Sequence, residues 1–175
     1  MLRKITLAVL VAFLSCPVMI GANDNSNSVV DGLLGYIAPV TPPQVLRCIG
    51  GEPIGEEQCS PETHRIISRD EVQTWGPVAL AGEGADLLDG LITFTVNCNF
   101  NAEYRGPCWG TFAWDAAGGT WEGQWVTPVM DLVTYESKIS MVGIGEGGDI
   151  EGKHLKLDGY SNPGDWYITF TARVK

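Results

Sequence analysis

"CWGTFAWDAAGGTWEGQWV", residues 108–126, is the stretch on which the fold turns. Two aromatic runs, "CWGTFAWD" and "TWEGQWV", flank "AAGG", a tight turn whose glycines allow the backbone to reverse. In an extended strand, residues two apart share a face, so Trp121, Gly123 and Trp125 point one way and Glu122 and Gln124 the other. Trp114, across the turn, joins either face according to the hairpin register. Large rings on one face either plug a core, with Gly123 leaving room for a ring, or wall a site for an apolar ligand or a sugar. Packing favours the core, and a barrel with a cavity accommodates both.

The same two-residue period runs outward from this hairpin. "LLDGLITFTVNC", residues 87–98, places Ile92, Phe94, Val96 and Cys98 on one face and Thr93, Thr95 and Asn97 on the other. "THRIISRDEVQTWGPVAL" (63–80) is strand-like with a turn expected near "SRDE", and "NFNAEYRGP" (99–107) reads as a loop. "LVTYESKISMVGIG" (132–145), "KHLKLDGYS" (153–161) and "WYITFTARV" (166–174) continue the pattern, the last with Trp166, Ile168, Phe170, Ala172 and Val174 inward. No capped amphipathic helix follows residue 60. The expectation is an all-β chain, a small antiparallel up-and-down β-barrel of about eight strands in which closure removes exposed edges. A sandwich is the second choice.

Upstream, Arg3 and Lys4 precede the apolar run "ITLAVLVAFLSCPVMI", and Ala22 offers a small residue for cleavage. That is the layout of a secretory signal peptide, expected over residues 1–22. The run is shorter than the roughly 20 apolar residues that span a bilayer, and Pro17 interrupts it. Phe13 and Leu14 are a poor lead-in for lipid attachment at Cys16. Residues 23–45, polar and then rich in Gly and Pro, read as an extended leader, and residues 46–175 as a single barrel domain. The mature protein is expected outside the cytoplasm, secreted or periplasmic, with no transmembrane segment.

Loss of Arg3 and Lys4 with the signal takes the formal net charge from -10 to -12. So acidic a chain argues against nucleic acid and anionic membranes, which need positive surface. Of five cysteines, Cys48, Cys59, Cys98 and Cys108 remain after cleavage. An even count in an exported chain reads as disulfides, with three connectivities open and the local pairs Cys48–Cys59 and Cys98–Cys108 the simplest. Zinc fails on spacing: no Cys-x-x-Cys occurs, and His64 and His154 are the only histidines.

"GIGEGG", residues 143–148, satisfies G-x-G-x-x-G, but another strand follows where a dinucleotide site needs a helix. The acidic glycine loops match no EF-hand and read as solvated turns. No cofactor and no metal is called for. No G-x-S-x-G elbow is present, and the sequence names no catalytic residue.

"SRDEVQTWG" (68–76), "GTFAWDAAGGTWEGQW" (110–125), "GIGEGGDIEGKHLKLDG" (143–159) and the closing "WYITFTARV" resemble a group of uncharacterised secreted bacterial proteins. That group in turn is similar to the allene oxide cyclase and dirigent-type barrels of the calycin kind. The resemblance implies an eight-stranded antiparallel barrel with an apolar cavity; it carries over no catalytic residue, and the two cysteine-clipped loops depart from the cyclase pattern.

Three functions follow. The preferred one is a secreted barrel holding a small apolar or aromatic molecule against Trp121 and Trp125, with Trp114 and Trp166 as further walls. The second is a cyclase- or dirigent-like enzyme or guide, which requires a polar group in the cavity; Glu122 and His154 are its candidates. The third is a cavity-less extracellular interaction protein.

Overall fold

A computed structural model describes residues 27–56, 58–161, 163–164 and 167–175. The expected signal peptide and Trp166 lie outside the described residues. Among the described residues eleven strands follow in chain order: β1 (Ser28–Thr41), β2 (Val45–Ile49), β3 (Pro53–Ile54), β4 (Gln58–Cys59), β5 (Arg65–Gly82), β6 (Gly90–Asn101), β7 (Arg105–Ala116), β8 (Gly119–Asp131), β9 (Glu136–Glu146), β10 (His154–Ser161) and β11 (Tyr167–Val174). Eight of them close an antiparallel barrel in the order β1-β11-β10-β9-β8-β7-β6-β5, with β5 returning to β1. Each barrel strand after β5 pairs with the next, the up-and-down arrangement expected from consecutive hairpins. No described helix is long and apolar enough to cross a membrane.

Period-two burial explains why these residues form a barrel. Ile92, Phe94, Val96, Cys98 and Phe100 of β6 are buried, as are Ile168, Phe170, Ala172 and Val174 of β11. Charged residues such as Glu122, Lys156, Asp158 and Arg173 occupy the outer face. Both disulfides form between local partners. Cys48–Cys59 ties β2 to β4, and Cys98–Cys108 joins residues directly opposite one another on β6 and β7.

Two expectations are corrected. The stretch taken as an extended leader supplies β1, which pairs with β11 on one side and β5 on the other and so closes the barrel. Val30 and Leu34 of β1 are buried, but the inward position between them is Gly32. A Cβ there would collide with the Phe170 ring, so the glycine that admits the ring also breaks the alternation that would betray the strand.

The expected turn at "SRDE" is instead a β-bulge inside the 18-residue strand β5. The register slips between Ser68 and Glu71, and Asp70 takes the left-handed conformation (φ 56°) that a bulge admits. Arg69 pins the bulge: Nη1 donates to the Ser68 and Cys98 carbonyls at 2.6 Å, Nη2 donates to Asn99 Oδ1 at 2.8 Å, and the guanidinium lies 4.9 Å over the Trp109 ring. The extra residue inverts the facing parity. Ile66 and Ser68 point inward before the bulge, and Glu71, Gln73 and Trp75 point inward after it.

Candidate functional site

The barrel interior divides into a filled half and an open half. In the filled half Trp114 and Trp121 stand directly opposite across β7 and β8, both without solvent exposure. Each indole finds an acceptor: Trp121 Nε1 donates to the Leu87 carbonyl at 2.8 Å, and Trp114 Nε1 to the Gly90 carbonyl at 3.2 Å. Leu88 and Ile150, carried by the short 3-10 turns Ala85–Leu88 and Gly148–Ile150, are wholly buried there and plug this end.

Glycines let the rings cross between strands. Phe112 faces Gly123 in register, and its ring edge stands 2.9 Å and 2.8 Å from where Cβ atoms on Gly123 and Gly143 would sit. Two residues on, Gly110 faces Trp125, whose indole lies across it and donates to the Thr95 carbonyl of β6 at 3.1 Å. Trp125 meets Phe94 edge to face, with centroids 5.6 Å apart. These two rings form the floor of what lies beyond.

Beyond them is a cavity of about 330 Å³. Tyr36, Trp75, Phe94, Phe100, Tyr104, Trp125 and Tyr135 give it aromatic walls, with Ile66, Val96, Ile139 and Ile168 between them. Tyr36 and Trp75 face each other edge to face at 5.3 Å. Beside Ser68 and the tyrosines, two hydrogen-bonded groups of polar side chains line it. On β5 the Trp75 indole donates to Gln73 Oε1 at 3.1 Å, and Gln73 Nε2 donates to Glu71 Oε1 at 2.6 Å. An indole N–H only donates, so Gln73 must turn its oxygen to Trp75 and its amide nitrogen to Glu71. Across β9 and β10, Ser137 and Ser161 are register partners with hydroxyls 2.9 Å apart, both buried and both on the cavity wall.

The mouth is built from two joined loops. Asp131 Oδ1 accepts from the Val133 and Thr134 amides at 2.9 and 3.0 Å, and its other oxygen meets Arg105 Nε at 3.2 Å. Hydrogen bonds from Thr134 first, then from Val133, together with the Arg105 charge, hold this carboxyl below the ordinary aspartate value against the opposing effect of burial. The Leu132 amide donates to the Tyr104 carbonyl at 3.1 Å, tying the 131–136 loop to the 101–105 turn. Tyr104 and Tyr135 sit in these two segments with φ of 57° and 61°. A left-handed residue with a Cβ costs roughly 1–2 kcal/mol, and such outliers gather at ligand clamps. Both strained tyrosines line the cavity.

No protein-family model matches this chain, nor does any curated protein or solved structure. The chemistry must therefore be read from the side chains themselves. Of the residues singled out in the sequence, Trp125 lies on the cavity wall. Trp114 and Trp121 belong to the filled half, so the opening hairpin supplies both core and wall. Glu122 and His154 are exposed on the outer face, beside a shallow groove with Lys156 and Arg173, and do not enter the barrel. Among the described residues no group of His, Cys, Asp or Glu side chains is placed to hold a metal ion.

Glu71, Gln73, Ser137 and Ser161 were not singled out. The period-two run "EVQTW" places Glu71, Gln73 and Trp75 on one face, and an amphipathic ring sharing that face was the available signal. The bulge hid it, because counting parity through residues 68–71 without the extra residue sends these side chains outward.

Proposed function

We propose that this protein is an exported barrel that binds a small aromatic molecule in the open half of its interior. The observation that carries the reading is a 330 Å³ cavity walled by aromatic rings with only a few polar atoms, the usual composition of a small-molecule site. An apolar cavity of about 150 Å³ takes up benzene, so about twice that volume suits a fused bicyclic ring system. Tyr104 and Tyr135, from the two hairpin turns at the mouth, add aromatic wall to the same cavity. Two disulfides suit an oxidising compartment, and the basic, apolar, small-residue leader supports export.

A second reading has one observation in its favour. A cyclase- or dirigent-like guide acting on a hydrophobic intermediate needs a polar group inside, and Glu71 with Gln73 provides one. The resemblance to the allene oxide cyclase and dirigent-type barrels, carried by the "GGTWEG" and "GIGEGGDIEG" stretches, points the same way.

Native mass spectrometry of the exported mature chain, gently purified, tests the binding reading. A satellite peak that vanishes on denaturation is expected, and its mass identifies the guest. A single unliganded peak, unchanged after incubation with mixtures of bicyclic aromatics, would overturn it.

A further inference from the structure

The direction of the hydrogen bonds on the serine side of the cavity specifies the ligand more narrowly; this step rests on the binding reading above. Ser161 has one hydroxyl hydrogen, and it is donated to the Tyr135 carbonyl. The 2.9 Å contact between the two hydroxyls must therefore be made by Ser137 donating to Ser161 Oγ. Ser137's own hydrogen is spent, and what its oxygen can still offer is lone pairs. Ser137 is 4 % exposed and lines the cavity, so a guest in the cavity is placed to donate to it. A chain of hydroxyls running one way into a carbonyl is polarised along its length, which keeps this direction in place. On the opposite wall the Trp75–Gln73–Glu71 chain also runs one way, toward the Glu71 carboxyl.

We propose that the ligand is a planar bicyclic aromatic carrying a neutral hydrogen-bond donor, a phenolic hydroxyl or an aromatic N–H, which it gives to Ser137 Oγ. A carboxylate-bearing ring system is disfavoured, because it would bring a second carboxyl group into the compartment that already holds Glu71.

The test uses naphthol, methylnaphthalene, methoxynaphthalene and naphthoate with the mature protein, followed by Trp fluorescence and calorimetry. Comparing wild type with Ser137→Ala isolates the contact from the intrinsic hydrophobicity of each probe. The naphthol-to-methylnaphthalene affinity ratio is expected to fall about five- to tenfold in Ser137→Ala, the value of one net hydrogen bond. Ser161→Ala gives an independent readout. It frees the Ser137 hydrogen to turn into the cavity, so methoxynaphthalene, which only accepts, should bind more tightly than to wild type. A merely structural role for the pair would weaken all four probes alike.

The outcomes are separable. If none of the probes binds wild type, the binding reading falls and this inference with it. If they bind but the ratio is the same in wild type and Ser137→Ala, or if naphthoate binds best, only the donor assignment is overturned.

Discussion

Replacing Gly123 with alanine should unlock the barrel where Phe112 crosses it. A Cβ at residue 123 would collide with the Val142 carbonyl oxygen, and would stand 2.6 Å from Gly143 Cα and 2.9 Å from Phe112 Cε1. Two of those three obstacles are backbone of the neighbouring strand, which cannot rotate aside as a side chain does. Strand β9 must move away from β8, or Phe112 must leave the trough between Gly123 and Gly143. Overpacking of a well-packed site costs about 1–3 kcal/mol, and the backbone obstruction places Gly123→Ala in the upper part, about 2–3 kcal/mol. For a chain of this size each kcal/mol shifts melting by about 2–4 °C, so a fall of roughly 4–12 °C is expected. Gly118→Ala, in the same hairpin, is the control. Its nearest neighbours would be Ile150 at 3.4 Å and Leu87 at 3.6 Å, ordinary van der Waals contact. It should leave melting unchanged or raise it slightly by restricting the unfolded chain. Thermal denaturation followed by near-ultraviolet circular dichroism reads both variants, because the tryptophans report the packing directly. A Gly123→Ala protein that melts with wild type, or a Gly118→Ala protein that falls equally, would refute the close ring crossing.

Trp121→Phe and Trp125→Phe each remove an indole donor from a buried carbonyl, of Leu87 and of Thr95, and each should cost about 1–3 kcal/mol in urea denaturation. Only Trp125→Phe should also change the affinity for naphthalene derivatives, since Trp125 is wall and Trp121 is core. Cys98→Ala combined with Cys108→Ala opens a loop of ten-residue separation and should lower stability by about 3 kcal/mol in the chain-entropy account, with the barrel's circular dichroism retained. The Asp131 carboxyl has a lower pKa folded than unfolded. Its stabilisation is therefore complete above about pH 4 and is lost as the pH falls through the folded value. Asp131→Asn should flatten the acid limb of the stability curve, and an NMR titration of the wild-type carboxyl should give a midpoint below that of a model aspartate.

The fold class, the strand face of β6 and β11, the local disulfide pairing and the role of Gly123 as room for a ring were all legible in the sequence. Each depends on alternation or short-range spacing, which the chain carries in itself. Trp121 and Trp125 share a face in any strand, so their common direction was also legible. Their different fates were not. Which ring fills and which ring lines depends on the 3-10 turns that bring Leu88 and Ile150 to one end of the barrel and leave the other end open. That is decided by segments far away in the chain.

Two local features defeated pattern reading for a shared reason: they interrupt the period that reveals strands. Gly32 occupies an inward position of β1 as an absence, because Phe170 from β11 takes its space. The Asp70 bulge adds one residue to β5 and turns Glu71 and Gln73 toward the cavity. The sequence by itself determined the period and so the barrel. Only the tertiary structure decided where that period slips, and with it which polar atoms face the ligand, because a slip of one residue turns every later side chain to the other face.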